Sequence, residues 1–165
     1  MPLAAVNVLT DSFIGRFSGD HYWPVLGAHR GLTINVTSLA GLALMKLIAW
    51  DDRRFERDAQ DLGFIMKHYF DAGNETRVIG DEAENADLLN SDFDYNLASA
   101  RVLGRDVGKL LTEQSLKPVL KVLEEQTGDR TQYPLVNAML ANFHGEFENA
   151  LAMLGSFRKG VLDTC

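Results

Sequence analysis

Lys46 is the only charged residue between Arg30 and Asp51, and it stands in a very apolar run from Leu39 to Trp50. A dense charged stretch follows directly, from Asp51-Asp52-Arg53-Arg54 through Arg57-Asp58 to Asp61. Cations and carboxylates so interleaved can pair with one another, a guanidinium by two parallel hydrogen bonds and an ammonium as a point charge. At helical spacing Asp58 stacks on Leu62, Ile65 and Tyr69, so it lies at the N-terminal end of a stripe that should face a core, with Asp61 on its flank. A carboxylate drawn toward an apolar interior is costly unless paired, and Lys46, Arg53, Arg54 and Arg57 are the bases within reach. Two plainer roles compete. Acids in a first helical turn are favoured by the helix dipole, and Lys46 can snorkel, its stem packed and its ammonium in water.

Other chemistries find less support. The four histidines, His21, His29, His68 and His144, are scattered without the spacing of a helical metal site. The single cysteine, Cys165, gives neither a disulfide framework nor a thiolate zinc site. No Gly-x-Ser-x-Gly turn marks a serine nucleophile, and Gly104 and Gly108 sit inside a helical pattern, where they suit close helix packing better than a phosphate loop. Tyr22, Trp23 and Trp50 could stack bases, but burial is the commoner fate of such rings.

The elements that must position the charged stretch are mostly helical. Leu39 to Trp50 reads as a helix with Ser38 before it, and Leu62, Ile65, Met66, Tyr69 and Phe70 form the stripe of a second that stops at Gly73. Further helices are expected over Tyr95 to Leu111, over Ser115 to Gln126 with Pro118 in the first turn, over Leu135 to Phe143 and over Glu146 to Phe157. Before Ser38, three short runs have β character, Val6 to Leu9, Tyr22 to Leu26 and Leu32 to Val36. The expected fold is therefore α+β: a mainly α-helical bundle of about six helices over residues 37–165, preceded by a strand-rich remnant of an incomplete sheet over residues 1–36. With 165 residues the chain can bury one core. Its net charge of −7 is concentrated between Asp71 and Asp94, where eight acids face Arg77 alone. That stretch reads as a solvated acidic connection with one short helix near Glu82 to Leu89, and its field repels nucleic-acid backbones. The sequence shows no basic, apolar leader and no membrane span, so a cytoplasmic location is expected.

Taken whole, the segment from Lys46 through Asp51-Asp52-Arg53-Arg54 and Arg57-Asp58-Ala-Gln-Asp61 to Leu62 resembles the K…R…(K/R)DxxDL signature of abortive-infection (AbiE-type) nucleotidyltransferase toxins, a bacterial branch of the DNA polymerase β-like superfamily. The resemblance runs from about residue 32 to 127, through Thr33 to Leu44 upstream and Asp92-Phe-Asp94-Tyr95 to Asp106 downstream. It implies transfer of a nucleoside monophosphate from a nucleoside triphosphate to an acceptor such as RNA, with Mg²⁺ as cofactor. Lys46, Asp58 and Asp61 would be the catalytic set: Lys46 on the triphosphate, Asp58 holding Lys46 or an arginine in place or assisting the acceptor, Asp61 supporting it. Lys46, Arg53 and Arg54 would be the phosphate-binding set. An antitoxin protein and self-association are the further partners implied. One departure stands out. The family's metal site needs a Gly-Ser turn followed by Asp-x-Asp on a strand, yet the only Gly-Ser here, Gly155-Ser156, precedes Phe157-Arg158-Lys159, and Asp92-Phe-Asp94 opens a helix. The expectation is the C-terminal part of such an enzyme, without a metal site of its own and not catalytic alone. The alternative is a non-catalytic helical interaction module, dimeric or otherwise, whose charged stretch is a salt-bridged helix junction.

Overall fold

The computed structural model describes residues 37–79, 83–88, 94–129 and 132–164. The strands expected at Val6 to Leu9, Tyr22 to Leu26 and Leu32 to Val36 lie outside these residues, so the β half of the expected α+β fold is not shown. By its contacts the chain divides into Met1–Ser38 and Leu39–Cys165, and the second unit is described here. Its described residues are mostly helical and contain no strand.

Among the described residues there are seven α-helices, six on the stripes in the sequence and one, Glu75–Ile79, in the acidic stretch. Helix α1 (Leu39–Arg53) and α2 (Glu56–His68) are followed by a π-turn at Phe70–Asn74, where Gly73 adopts the left-handed φ of 89° that breaks the helix as its sequence suggests. Helix α3 (Glu75–Ile79) and a 3₁₀ turn (Ala83–Leu88) lead to α4 (Tyr95–Leu110), whose N-terminus is capped by Asp94 accepting from the backbone N–H groups of Asn96 and Leu97. Helix α5 (Glu113–Thr127) starts two residues before Ser115, because Thr112 and Ser115 form a reciprocal capping box. Pro118 is thus its sixth residue rather than part of its first turn. Helix α6 (Pro134–Met139) tightens into a 3₁₀ turn (Leu140–Phe143) and ends in left-handed His144 and Gly145. Helix α7 (Phe147–Leu162) runs five residues beyond the expected Phe157.

Trp50, Leu62, Met66, Leu103, Leu123, Leu135, Met139, Leu154 and Phe157 are buried and bring most of these helices into one core. Helix α4 crosses α7 through glycines: a methyl group at position 104 would stand 2.1 Å from the Phe157 carbonyl oxygen, and one at 160 would stand 2.0 Å from that of Arg101. The backbones touch where side chains are missing, as the glycines of α4 suggest. Helix α2 packs on α6 and on the 3₁₀ turn after it, tied to that turn by Lys67 Nζ donating to the Asn142 carbonyl at 2.8 Å and by Asn142 Nδ2 donating to the Gln60 carbonyl at 2.7 Å.

The acidic stretch is more than a solvated connection. Arg77, its one base, donates twice to Asp106 of α4 at 2.8 Å each, and the same carboxylate accepts from Tyr69 Oη at 2.5 Å. Asn74 joins by accepting from Arg77 at 2.9 Å and donating to the Tyr69 carbonyl at 2.8 Å. Nearby, Arg105 grips Asp87 at 2.5 Å and Asp163 at 2.7 Å, and Arg101 donates to Asp163 as well. Asn85 donates to the Arg77 carbonyl and accepts from Arg105, both at 2.8 Å. These groups pin α3 and the 3₁₀ turn to α4, and α4 to the end of α7.

Candidate functional site

Two residues, Arg54 and Phe55, connect α1 to α2. Arg53 meets Asp58 while Lys46 meets Asp61, so position falls along α1 as it rises along α2 and the pair forms an antiparallel hairpin. Lys46 and Arg53 are two turns apart on one face of α1, and Asp58 and Asp61 are neighbours on α2. The hairpin therefore gathers residues twelve and fifteen positions apart into one cluster.

The turn is held by local bonds. Arg54 takes a left-handed φ of 55°, a conformation usually left to glycine at helix ends. Its backbone N–H donates to the Trp50 carbonyl at 2.8 Å, its guanidinium donates to Asp51 Oδ1 at 2.6 Å, and that guanidinium lies 4.2 Å from the centre of the Trp50 ring. Phe55 precedes α2 in the capping position but offers no side-chain cap, and the first-turn acids Glu56 and Asp58 supply negative charge to that helix end instead.

Asp58 is the fixed centre. It is 3% exposed and accepts from Arg53 Nε at 2.9 Å, Arg53 Nη2 at 3.2 Å and Lys46 Nζ at 3.1 Å. The bond from Arg53, helped by Lys46, holds its carboxyl below the ordinary range against the opposing effect of burial. Lys46 Nζ also lies 2.6 Å from Asp61 Oδ2. Bonded first to Asp61 and then to Asp58, Lys46 has its pKa raised and stays an ammonium. The side chain of Lys46 is 25% exposed and that of Asp61 42%, so this rim of the cluster is open to water. Arg53 is half-exposed, and its guanidinium lies 5.4 Å from the centre of the Phe55 ring, itself 60% exposed.

Of the residues expected to act together, Lys46, Arg53, Asp58 and Asp61 converge. Arg54 does not; it turns away to Asp51 and Trp50, and Arg57 is exposed. Phe55 is the neighbour that sequence reading passed over, because a lone aromatic between two charged runs has no periodic signal. Trp50 is buried in the core. Tyr22 and Trp23, like His21 and His29, lie outside the described residues.

The donor set does not fit the Mg²⁺ that the resemblance implies. Both Asp58 oxygens are taken by cations, Asp61 is on Lys46, and two positive side chains already stand where a divalent ion would have to sit. Among the described residues no group of three or more His, Cys, Asp or Glu side chains is placed to hold a metal ion. Among them, too, no helix is long and apolar enough to cross a membrane. Compared with known proteins, the chain has no significant match to a family model, a curated sequence or a solved structure.

Proposed function

We propose that the helical unit is a component of an AbiE-like nucleotidyltransferase, contributing a seat for the phosphates of a nucleoside triphosphate at the α1–α2 hairpin. The observation that carries this reading is the convergence of Lys46, Arg53, Asp58 and Asp61 at a water-accessible rim, the residues in which the resemblance is concentrated. Asp58 acts as the positioning residue. Its carboxylate, held ionised, sets the ammonium of Lys46 and the guanidinium of Arg53 side by side, the arrangement suited to charge neutralisation on phosphate oxygens. Neither Asp58 nor Lys46 suits proton transfer near neutral pH, because each is shifted further into its charged form. Their work is electrostatic. Transfer to an acceptor such as RNA needs metal-binding carboxylates on a partner domain, and an antitoxin would act on that assembly.

Isothermal titration of the purified chain with each of the four nucleoside triphosphates, wild type beside Lys46→Ala, tests the reading. The substitution is expected to weaken binding by about 1.5–3 kcal/mol, the usual worth of a hydrogen bond to a charged group. Equal affinity in both forms would overturn it. Metal-dependent transfer by the chain alone, lost in Lys46→Ala, would show instead that the site is complete.

A second reading, a non-catalytic interaction module, is favoured by a different feature. Met45, Ile48 and Phe64 on the two helices of the hairpin, and Phe55 in its turn, are each half-exposed or more. On that reading the ion pairs only brace the junction, and sedimentation would show a dimer whose stability is reduced by Ile48→Glu and indifferent to Lys46→Ala.

A further inference from the structure

The two carboxylates on Lys46 are not equivalent. Asp58 is buried and receives three hydrogen bonds from two cations, so it has no freedom to leave. Asp61 sits one turn along α2 with its side chain 42% exposed, and it holds Lys46 at the shorter distance, 2.6 Å against 3.1 Å. Water can solvate Asp61 as soon as it swings outward, whereas Asp58 would have to abandon Arg53 as well. An ammonium has three N–H donors and these carboxylates engage two, so a ligand reaches the short 2.6 Å position on Lys46 only by taking the place of Asp61.

Resting on the reading above, we infer that Asp61 is an internal occupant of the phosphate seat: its carboxylate stands on Lys46 where an oxygen of the incoming polyphosphate will bind, and the ligand must displace it. Asp58 keeps Lys46 and Arg53 in place throughout, and Asp61 is the exchangeable anion. The displacement is a competition between two anions for one ammonium, with no bond made or broken. It lowers the apparent affinity for any polyphosphate by the strength of the Lys46–Asp61 contact, and it keeps the seat neutral when empty. The sign of the effect sets this role apart from mere support. A supporting acid weakens the site when removed; an occupant strengthens it.

The experiment measures the affinity of the full chain for inorganic tripolyphosphate and for the four nucleoside triphosphates at constant ionic strength, in wild type, Asp61→Asn, Asp52→Asn and Asp61→Asn/Lys46→Ala. Asp52 is exposed and removes the same charge without touching Lys46, and thermal unfolding confirms that each variant is folded. Asp61→Asn is expected to tighten binding roughly fivefold, the scale of one contact between unit charges at a watery surface. Asp52→Asn should change it by less than about twofold at moderate salt, and the double variant should lose the gain. Binding by Asp61→Asn equal to or weaker than wild type would overturn the inference, while a Lys46-dependent wild-type affinity would leave the phosphate seat standing. Equal tightening by Asp52→Asn would overturn it as well, by reducing the effect to net charge. No binding by wild type or by Asp61→Asn would overturn both the inference and the seat. Tightening toward nucleotides without tightening toward tripolyphosphate would overturn the inference and the phosphate seat with it, since the site would then recognise something other than phosphate.

Discussion

Two ionic clusters of similar make-up stand on the same bundle, and they differ in where they can exchange a partner. At the α1–α2 hairpin, Asp58 is clasped by Arg53 and Lys46, but Lys46 shares its charge with the exposed Asp61. Between α3 and α4, Asp106 is clasped by Arg77 and Tyr69; its side chain is 3% exposed and Tyr69 and Asn74 are buried, so what reaches water there is cationic, Arg77 at 26% and Lys109, 3.8 Å from Asp106, at 44%. Burial, followed by the neighbouring Asp106, pushes the Tyr69 hydroxyl far above its usual pKa, so it stays a donor. The guanidinium of Arg77, bonded to Asp106, is likewise held charged. A cluster closed to exchange, its one carboxylate buried and fully bonded, fixes elements and has no anion at the rim to give up. One with a member at the rim can trade that member for another anion, and this makes the hairpin the candidate site while the larger network is a fastening.

The largest effect should come from breaking the fastening. Asp106→Ala leaves the buried Tyr69 hydroxyl without its acceptor and takes both charged bonds from Arg77, whose side chain is 26% exposed; the unmade buried bond and the lost charged ones together cost about 3–4 kcal/mol. A fall in Tm of roughly 10–15 °C is expected for a chain of this size. Asp58→Ala removes as many bonds but leaves Lys46 and Arg53 where water can take over, so a smaller loss of about 1–2 kcal/mol is expected. Equal losses in the two variants, measured by chemical denaturation, would break the distinction between closed and open clusters.

That distinction was only half legible in the sequence. The need of Asp58 for a cation followed from its place on the stripe of Leu62, Ile65 and Tyr69, and the two candidates that answer it, Lys46 and Arg53, are local to the hairpin. The closed cluster joins Tyr69 and Arg77 to Asp106, thirty-seven and twenty-nine positions away. No periodicity carries such a pairing, so Tyr69 read as plain core and Arg77 as a stray base among acids. Asp87 read as solvated for the same reason, although Arg105 of α4 claims it. Glycines were easier: Gly73 stops a helix, and Gly104 lets α4 meet α7, each by a rule local to the residue. Pro118 misled, because proline is favoured early in a helix while the capping box of Thr112 and Ser115 sets the true start. Arg54 was grouped with Arg53 as a phosphate ligand, since adjacency in sequence hides the left-handed turn that parts them.

Acid should weaken the hairpin cluster and the pairs around Arg105 by a middling amount. Asp58 is held below its ordinary pKa by Arg53 and Lys46, Asp87 by Arg105, and Asp163 by Arg101 and Arg105. A carboxylate with a depressed folded pKa contributes stability that is fully present above its unfolded value near 4 and is lost as pH falls through the folded value. Stability is therefore expected to be flat from pH 7 to about 5 and to decline below about 4. In Asp58→Asn the decline should be shallower, and in Asp87→Asn/Asp163→Asn shallower still. An acid limb unchanged in all these variants, followed by urea unfolding at each pH, would show that the ion pairs add no proton-linked stability.

The smallest effect falls on the residue that belongs to neither cluster. Arg54 spends about 1–2 kcal/mol on its left-handed backbone, which glycine would relieve. Against that, Arg54→Gly frees the unfolded chain by about 0.5–1 kcal/mol and gives up an exposed bond to Asp51 and the stacking on Trp50, each worth no more than about 1 kcal/mol. These terms nearly cancel, so Tm should move by a few degrees at most. The ligand assay then sharpens the comparison. Arg53→Ala should weaken tripolyphosphate binding, because Arg53 stands beside Lys46 on Asp58, whereas Arg54→Gly should leave it unchanged. A loss of affinity in Arg54→Gly as large as in Arg53→Ala would mean that the seat extends around the turn, and the open cluster would then include Asp51 and the face of Trp50.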